Sequence, residues 1–262
     1  MKKMIQSVGF LLTILCGSGC AKVDERVFLN VQMENNWDEH EKNPAKYAGT
    51  GIEVFINGNF CSRLHFGSSI GPVDKFLKPG SNTIEIKGIT AFPVEIVICS
   101  FAKDHAPIRT ILDQKWPNIV TNNRYESTFS VQKSSLLPIF EKKNVMPDRA
   151  STERELTCLV SNLYENCSAR NKDAFIRTSL EGYRIHSPSD YLDVMNTVES
   201  MFDSFSLMPF PEKLQFVHGS NLVVAFSCTN DNSFILFPPA TEQSAAVSGI
   251  HFAYINKRWV AW

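Results

Sequence analysis

The familiar catalytic signatures are missing from this 262-residue chain, and each absence narrows the function. It has no G-x-S-x-G elbow, H-E-x-x-H helix, phosphate-binding loop or dinucleotide glycine pattern, which argues against the chemistries those arrangements serve. No CxxC or Cys/His spacing suits zinc. The turn Thr229–Asn232 offers only Asp231 toward a calcium loop, which needs several carboxylates close together. No metal or cofactor is therefore expected. Charge of one sign is lacking too: 26 basic residues face 27 acidic ones, with no Lys or Arg run, so nucleic acid is a disfavoured partner. Glu34, Asp38, Glu39 and Glu41 crowd one polar loop, where a solvated surface explains them better than a glycosidase pair.

A long apolar run is also absent. The uncharged span Met4–Ala21 is short and rich in Gly and Ser, against the ~20 mainly apolar residues of a membrane helix. Lys2 and Lys3, the apolar Val8–Cys16 and the small residues after it have the layout of a bacterial export signal. Its ending, Gly17-Ser18-Gly19-Cys20, resembles the lipobox of bacterial lipoproteins, where the chain is cut before a cysteine that becomes lipid-modified. Gly17 stands where that family prefers Leu, and Leu15 lies two residues further back. The resemblance implies lipid attachment at Cys20 and, with Ala21 rather than Asp following, the periplasmic face of the outer membrane. Gly17 and Gly19 also suit ordinary signal cleavage, which leaves a soluble secreted protein.

The chain is long enough for two ordinary domains, read as an all-β antiparallel sandwich over residues 23–131, a connector at 132–150 and an α+β domain at 151–262. Residues 1–22 are the export segment. In the first domain, Arg26–Met33, Ile52–Ile56, Thr83–Lys87, Val94–Phe101 and Ser127–Val131 alternate or are continuously apolar, as strands are. Val94–Phe101 is apolar on both faces and therefore expected to be central. Asn57-Gly58 is a hairpin signal, since both turn residues need positive φ. Ile52–Gly58 (IEVFING) and Phe76–Lys87 (FLKPGSNTIEIK) together resemble the galactose-binding-like β-sandwich found as an accessory domain in many bacterial enzymes. The likeness rests on turn residues, Pro79-Gly80 and Asn82 among them, so it implies a fold and carries no ligand residues over.

Two segments are read as loops whose tryptophans are binding candidates, Glu34–Tyr47 with Trp37 and Ile108–Tyr125 with Trp116. A loop tryptophan can stack on a sugar or anchor a protein interface; alternatively, each ring folds back over a sandwich edge. In the connector, Leu136, Leu137, Ile139 and Phe140 are too apolar for a free linker and are expected to dock between the domains.

From Ser151 the period becomes helical. Thr152 and Glu155 form a capping-box pattern, and Leu156, Leu159, Val160, Leu163, Tyr164 and Cys167 make one stripe. A second helix is expected over Asn171–Gly182 and a third after Ser187-Pro188, with Tyr191, Val194, Met195, Val198, Phe202 and Phe205 buried. A meander follows: Leu214–His218, Leu222–Cys228, Ser233–Phe237, Gly249–Ile255 and Arg258–Trp262. Helices followed by a meander, closing on the hairpin Phe252–Val260, resemble the nuclear-transport-factor-2-like α+β cone, with Lys257 where that superfamily commonly has Gly. That fold hosts enzymes and binding domains alike.

Of the seven cysteines, five remain beyond Cys20 for an oxidising compartment. Cys158 and Cys167 cannot bridge within one helix, because nine residues rise ~13.5 Å. The parsimonious pairing is Cys61–Cys99, with one bridge to Cys228; Cys167 is its partner if the face of Leu222, Val224, Phe226 and Cys228 meets the first helix. His218 is in phase with Leu214 and Phe216, and Tyr254 lies in the last hairpin, so both are candidates for a cone interior. No acidic residue stands at a spacing that commits it to His218 or His251. The expected protein is therefore a non-enzymatic envelope lipoprotein that binds a periplasmic protein, as an immunity or inhibitor protein does. The alternatives are a glycan-binding surface protein and a small-molecule-binding or weakly catalytic cone.

Overall fold

A computed structural model of the chain describes residues 25–33, 51–64, 67–90, 92–102, 107–117, 119, 124–131, 145–186, 188–227, 235–236 and 249–261. Cys20, Trp37, the connector leucines with Ile139 and Phe140, Ser187 and Cys228 lie outside these residues. Most of the described chain is antiparallel β-sheet, with a few helices. It divides into two compact units, Val23–Ser135 and Leu136–Trp262.

The described residues of the first unit hold eight strands: β1 (Glu25–Met33), β2 (Gly51–Ile56), β3 (Asn59–Leu64), β4 (Ser68–Pro72), β5 (Gly80–Ile89), β6 (Val94–Ala102), β7 (Pro107–Trp116) and β8 (Tyr125–Val131). They form two four-stranded antiparallel sheets, ordered β4-β1-β6-β7 and β3-β2-β5-β8. Alternation explains the burial. Leu29, Val31, Met33, Val94, Ile96 and Ile98 fill one face of the first sheet; Ile52, Val54, Ile56, Ile84 and Ile86 fill one face of the second. β6 is an inner strand, as its two apolar faces require.

Asn57 and Gly58 adopt φ of 51° and 75°, the left-handed pair that a tight hairpin between β2 and β3 demands. The segment 108–125 is not the expected loop: its first part is the edge strand β7. Two register shifts against β6, at Ile98/Cys99 and Ser100/Phe101, break the alternation that would have marked it as a strand. β3 and β4 are short and partly polar, so periodicity did not mark them either.

In the second unit, α1 (Arg149–Ser168) is followed by α2 (Lys172–Ser179), α3 (Glu181–His186) and α4 (Pro188–Met201). The expected capping box does not begin α1. Asp148 is the N-cap, its Oδ1 accepting from Ser151 N at 3.0 Å. Thr152 is a buried first-turn residue instead, and its hydroxyl donates to the Pro147 carbonyl at 3.4 Å. The second expected helix is two, α2 capped by Asn171 and then α3.

Strands β10 (Leu214–His218), β11 (Leu222–Ser227), β13 (Ile250–Ile255) and β14 (Arg258–Ala261) form an antiparallel sheet in that order. Of the expected strand Ser233–Phe237, the described residues are β12 (Ile235–Leu236), which pairs with β9 (Ser206–Leu207) in a separate two-stranded sheet. The α1 stripe of Leu156, Val160, Leu163 and Cys167 shares a core with Phe175, Val198, Phe202, Phe205, Val223, Ala225, Phe252 and Trp259. Val223 and Ala225 therefore face the helices. Leu222, Val224 and Phe226 turn the other way, which corrects the expected facing of β11; the Cys167–Cys228 pairing involves a residue outside the described ones.

Candidate functional site

The residues behind the sandwich resemblance form one hydrogen-bonded knot. Asn57 Nδ2 donates to the Phe76 carbonyl (2.8 Å) and to Asn82 Oδ1 (2.7 Å), while Asn57 Oδ1 accepts from Thr83 N (3.1 Å). Asn82 Oδ1 also accepts from Lys78 N, and its Nδ2 donates to the carbonyls of Lys78 and Gly80, each at 2.9 Å. With Asn82 fully buried, these bonds satisfy a loop that would otherwise strand polar groups in the core. The knot is architectural and leaves the unit's surface to other residues.

That surface includes the second face of the β4-β1-β6-β7 sheet. Ile70, Asn30, Val97 and Asp113 lie in one cross-strand row. Gln32, Glu95 and Lys115 form the next row, and Phe28, Cys99 and Thr110 flank on the other side. Ile70 is 41% exposed, Val97, Cys99 and Phe101 are half-buried, and the Phe28 ring stands edge-on to Phe101 at 5.3 Å. Gln32, Pro93, Glu95 and Lys115 border a shallow depression of about 80 Å³, well below the ~300–1,000 Å³ of small-ligand pockets. An apolar centre with a mixed-charge rim is the make-up of a protein-contact patch. At the edge strand, Ile108 adds a further 50% exposed side chain.

Trp116, expected on a loop, closes β7 opposite Val94. Its half-buried ring packs on Tyr125 with centroids 6.3 Å apart.

His218 points to the helix side of its sheet, sharing a face with Leu214, Phe216 and Val223. There it meets a carboxylate that spacing could not reveal: His218 Nε2 lies 3.0 Å from Glu153 Oε1, across 65 positions. The same oxygen accepts from Arg149 Nε at 2.7 Å. Arg149 chiefly holds the Glu153 carboxyl below the usual carboxylate range; burial, the next influence, opposes it, and the hydrogen bond from His218 adds to the lowering. An ionised, doubly engaged carboxylate orients the imidazole and ties the first turn of α1 to the end of β10. A general base near neutral pH would need the opposite shift. Tyr254 is on the same sheet face, half-buried, with its ring 5.1 Å from Trp259. His251 belongs to the opposite face, in register with Val224.

The described cysteines are free thiols. Cys61 sits on β3 and Cys99 on β6, both as free thiols rather than the expected Cys61–Cys99 bridge; Cys99 Sγ lies 3.8 Å from Thr110 Oγ1. Cys158 is exposed and Cys167 buried, on opposite faces of α1. Burial raises the thiol pKa of both Cys61 and Cys167.

Among the described residues no His/Cys/Asp/Glu group could hold a metal ion, and no helix is long and apolar enough to cross a membrane. Comparison with protein-family models, curated proteins and solved structures finds no match to this chain.

Proposed function

We propose that this protein is a lipid-anchored protein of the bacterial cell envelope, at the periplasmic face of the outer membrane, and that it acts by binding another protein. The location rests on the lipobox-like Gly17-Ser18-Gly19-Cys20 behind a short apolar segment. The observation that carries the binding role is the outer face of the first sheet, where Ile70 and Val97 are ringed by Gln32, Glu95, Lys115 and Asp113. On this reading the first unit is a β-sandwich domain and the second an α+β cone, and the natural subclass is an immunity or inhibitor protein that neutralises a periplasmic toxin or enzyme.

Two substitutions test it. Cys20→Ser should release the protein from the membrane fraction, and Val97→Asp should abolish retention of the partner while leaving the unfolding midpoint nearly unchanged. A partner that binds Val97→Asp and Ile70→Asp as tightly as wild type would remove the patch from the account.

A second reading, a small-ligand or weakly catalytic cone, is favoured by the Glu153–His218 pair. It requires His218→Ala to weaken binding of a small ligand in the cone. The glycan reading depends on Trp37, because Trp116 packs against Tyr125.

A further inference from the structure

We propose that Asn57-Gly58 is a latent deamidation site and that the Asn82 knot holds it closed. The dipeptide has the composition most open to this chemistry, because glycine leaves the following backbone nitrogen unhindered. Gly58 N attacks Asn57 Cγ, the C–N bond to Nδ2 breaks and ammonia leaves, giving a succinimide. Water then opens the ring to aspartate or isoaspartate. The only co-reactant is water.

In the folded protein, the carboxamide must rotate out of three hydrogen bonds before Cγ can meet Gly58 N: those to the Phe76 carbonyl (2.8 Å), Asn82 Oδ1 (2.7 Å) and Thr83 N (3.1 Å). The main chain is pinned as well, with Asn57 N donating to the Thr83 carbonyl at 2.9 Å. Releasing three bonds of ordinary net strength slows the native reaction on the order of a hundredfold against the unfolded chain.

The product cannot re-enter the knot. An aspartate would put an acceptor oxygen where Nδ2 donates, against two acceptors, the Phe76 carbonyl and Asn82 Oδ1. The modification therefore runs one way, and the altered chain is the less stable one.

The test is peptide mapping of the full chain after incubation at mildly alkaline pH, natively and in urea. Native wild type should retain Asn57 while the urea sample converts, and folded Asn82→Ala should convert on the order of tenfold faster than native wild type. The converted fraction should also unfold at lower urea than the intact fraction. Equal rates in native buffer and in urea would overturn the proposal, and this arm does not depend on the variant folding. Loss of Asn57 at wild-type rate in a folded Asn82→Ala protein would remove Asn82 from the mechanism.

Discussion

Replacing Asn82 by Ala tests the packing account of the first unit most severely. The side chain is fully buried and makes four hydrogen bonds: it accepts from Lys78 N and Asn57 Nδ2, and donates to the carbonyls of Lys78 and Gly80. At ~1 kcal/mol net per bond the upper figure is ~4 kcal/mol. Water entering the vacated space re-pairs some of the orphaned groups, and Asn57 Nδ2 keeps the Phe76 carbonyl, so the expected loss is ~2–4 kcal/mol. For a unit of about a hundred residues, that lowers the midpoint by ~10–20 °C. Urea unfolding followed by far-UV circular dichroism reads it directly.

Asn82→Asp sharpens the test. Its carboxylate faces the Lys78 and Gly80 carbonyls, so it should lose more than Ala at pH 7 and recover part on acidification, when the protonated carboxyl again donates. A change below ~0.5 kcal/mol for Asn82→Ala would show that the loop does not depend on the knot.

The remaining predictions concern other elements. Gly88 has φ of 132°, and a Cβ there would lie 2.1 Å from the Gly51 carbonyl oxygen, so Gly88→Ala should break the β2–β5 ladder; an unfolding midpoint equal to wild type would contradict this. Glu153 has a depressed folded pKa, so its contribution is present above the unfolded value and fades as pH falls through the folded one. Because the group is about one-third exposed, Glu153→Gln should cost only ~0.5 kcal/mol at pH 7, and in a pH series of urea melts the difference should shrink once pH falls below the ordinary glutamate range. Native alkylation at neutral pH should label Cys158 first and leave Cys61 and Cys167 until the protein unfolds, and mass mapping that finds Cys167 labelled as fast as Cys158 would refute the facing of α1.

What could be read from sequence follows how local each signal is. Ile52, Val54 and Ile56 announce a strand by alternation, and Asn57-Gly58 announces its turn, because both facts are contained in a few neighbouring residues. β7 was hidden because its two bulges shift the alternation on which such reading depends. At α1, Asp148 with Ser151 and Thr152 with Glu155 are successive start patterns four residues apart, and only the burial of Thr152 decides between them. The turn chemistry of Asn82 was local, whereas its bond to Asn57 was not. The Glu153–His218 contact joins a helix start to a strand end, and no periodicity within either segment encodes it. The facing of β11 was ambiguous for another reason: all six of its side chains are buried, so both faces read as core.

The protein-binding role is tested most directly by capture from envelope extract with the tagged full chain, washed at moderate salt, beside its Val97→Asp variant. The account predicts one stoichiometric protein on the wild type and none on the variant. No retained protein, together with a tryptophan fluorescence shift on adding an envelope glycan, would contradict it.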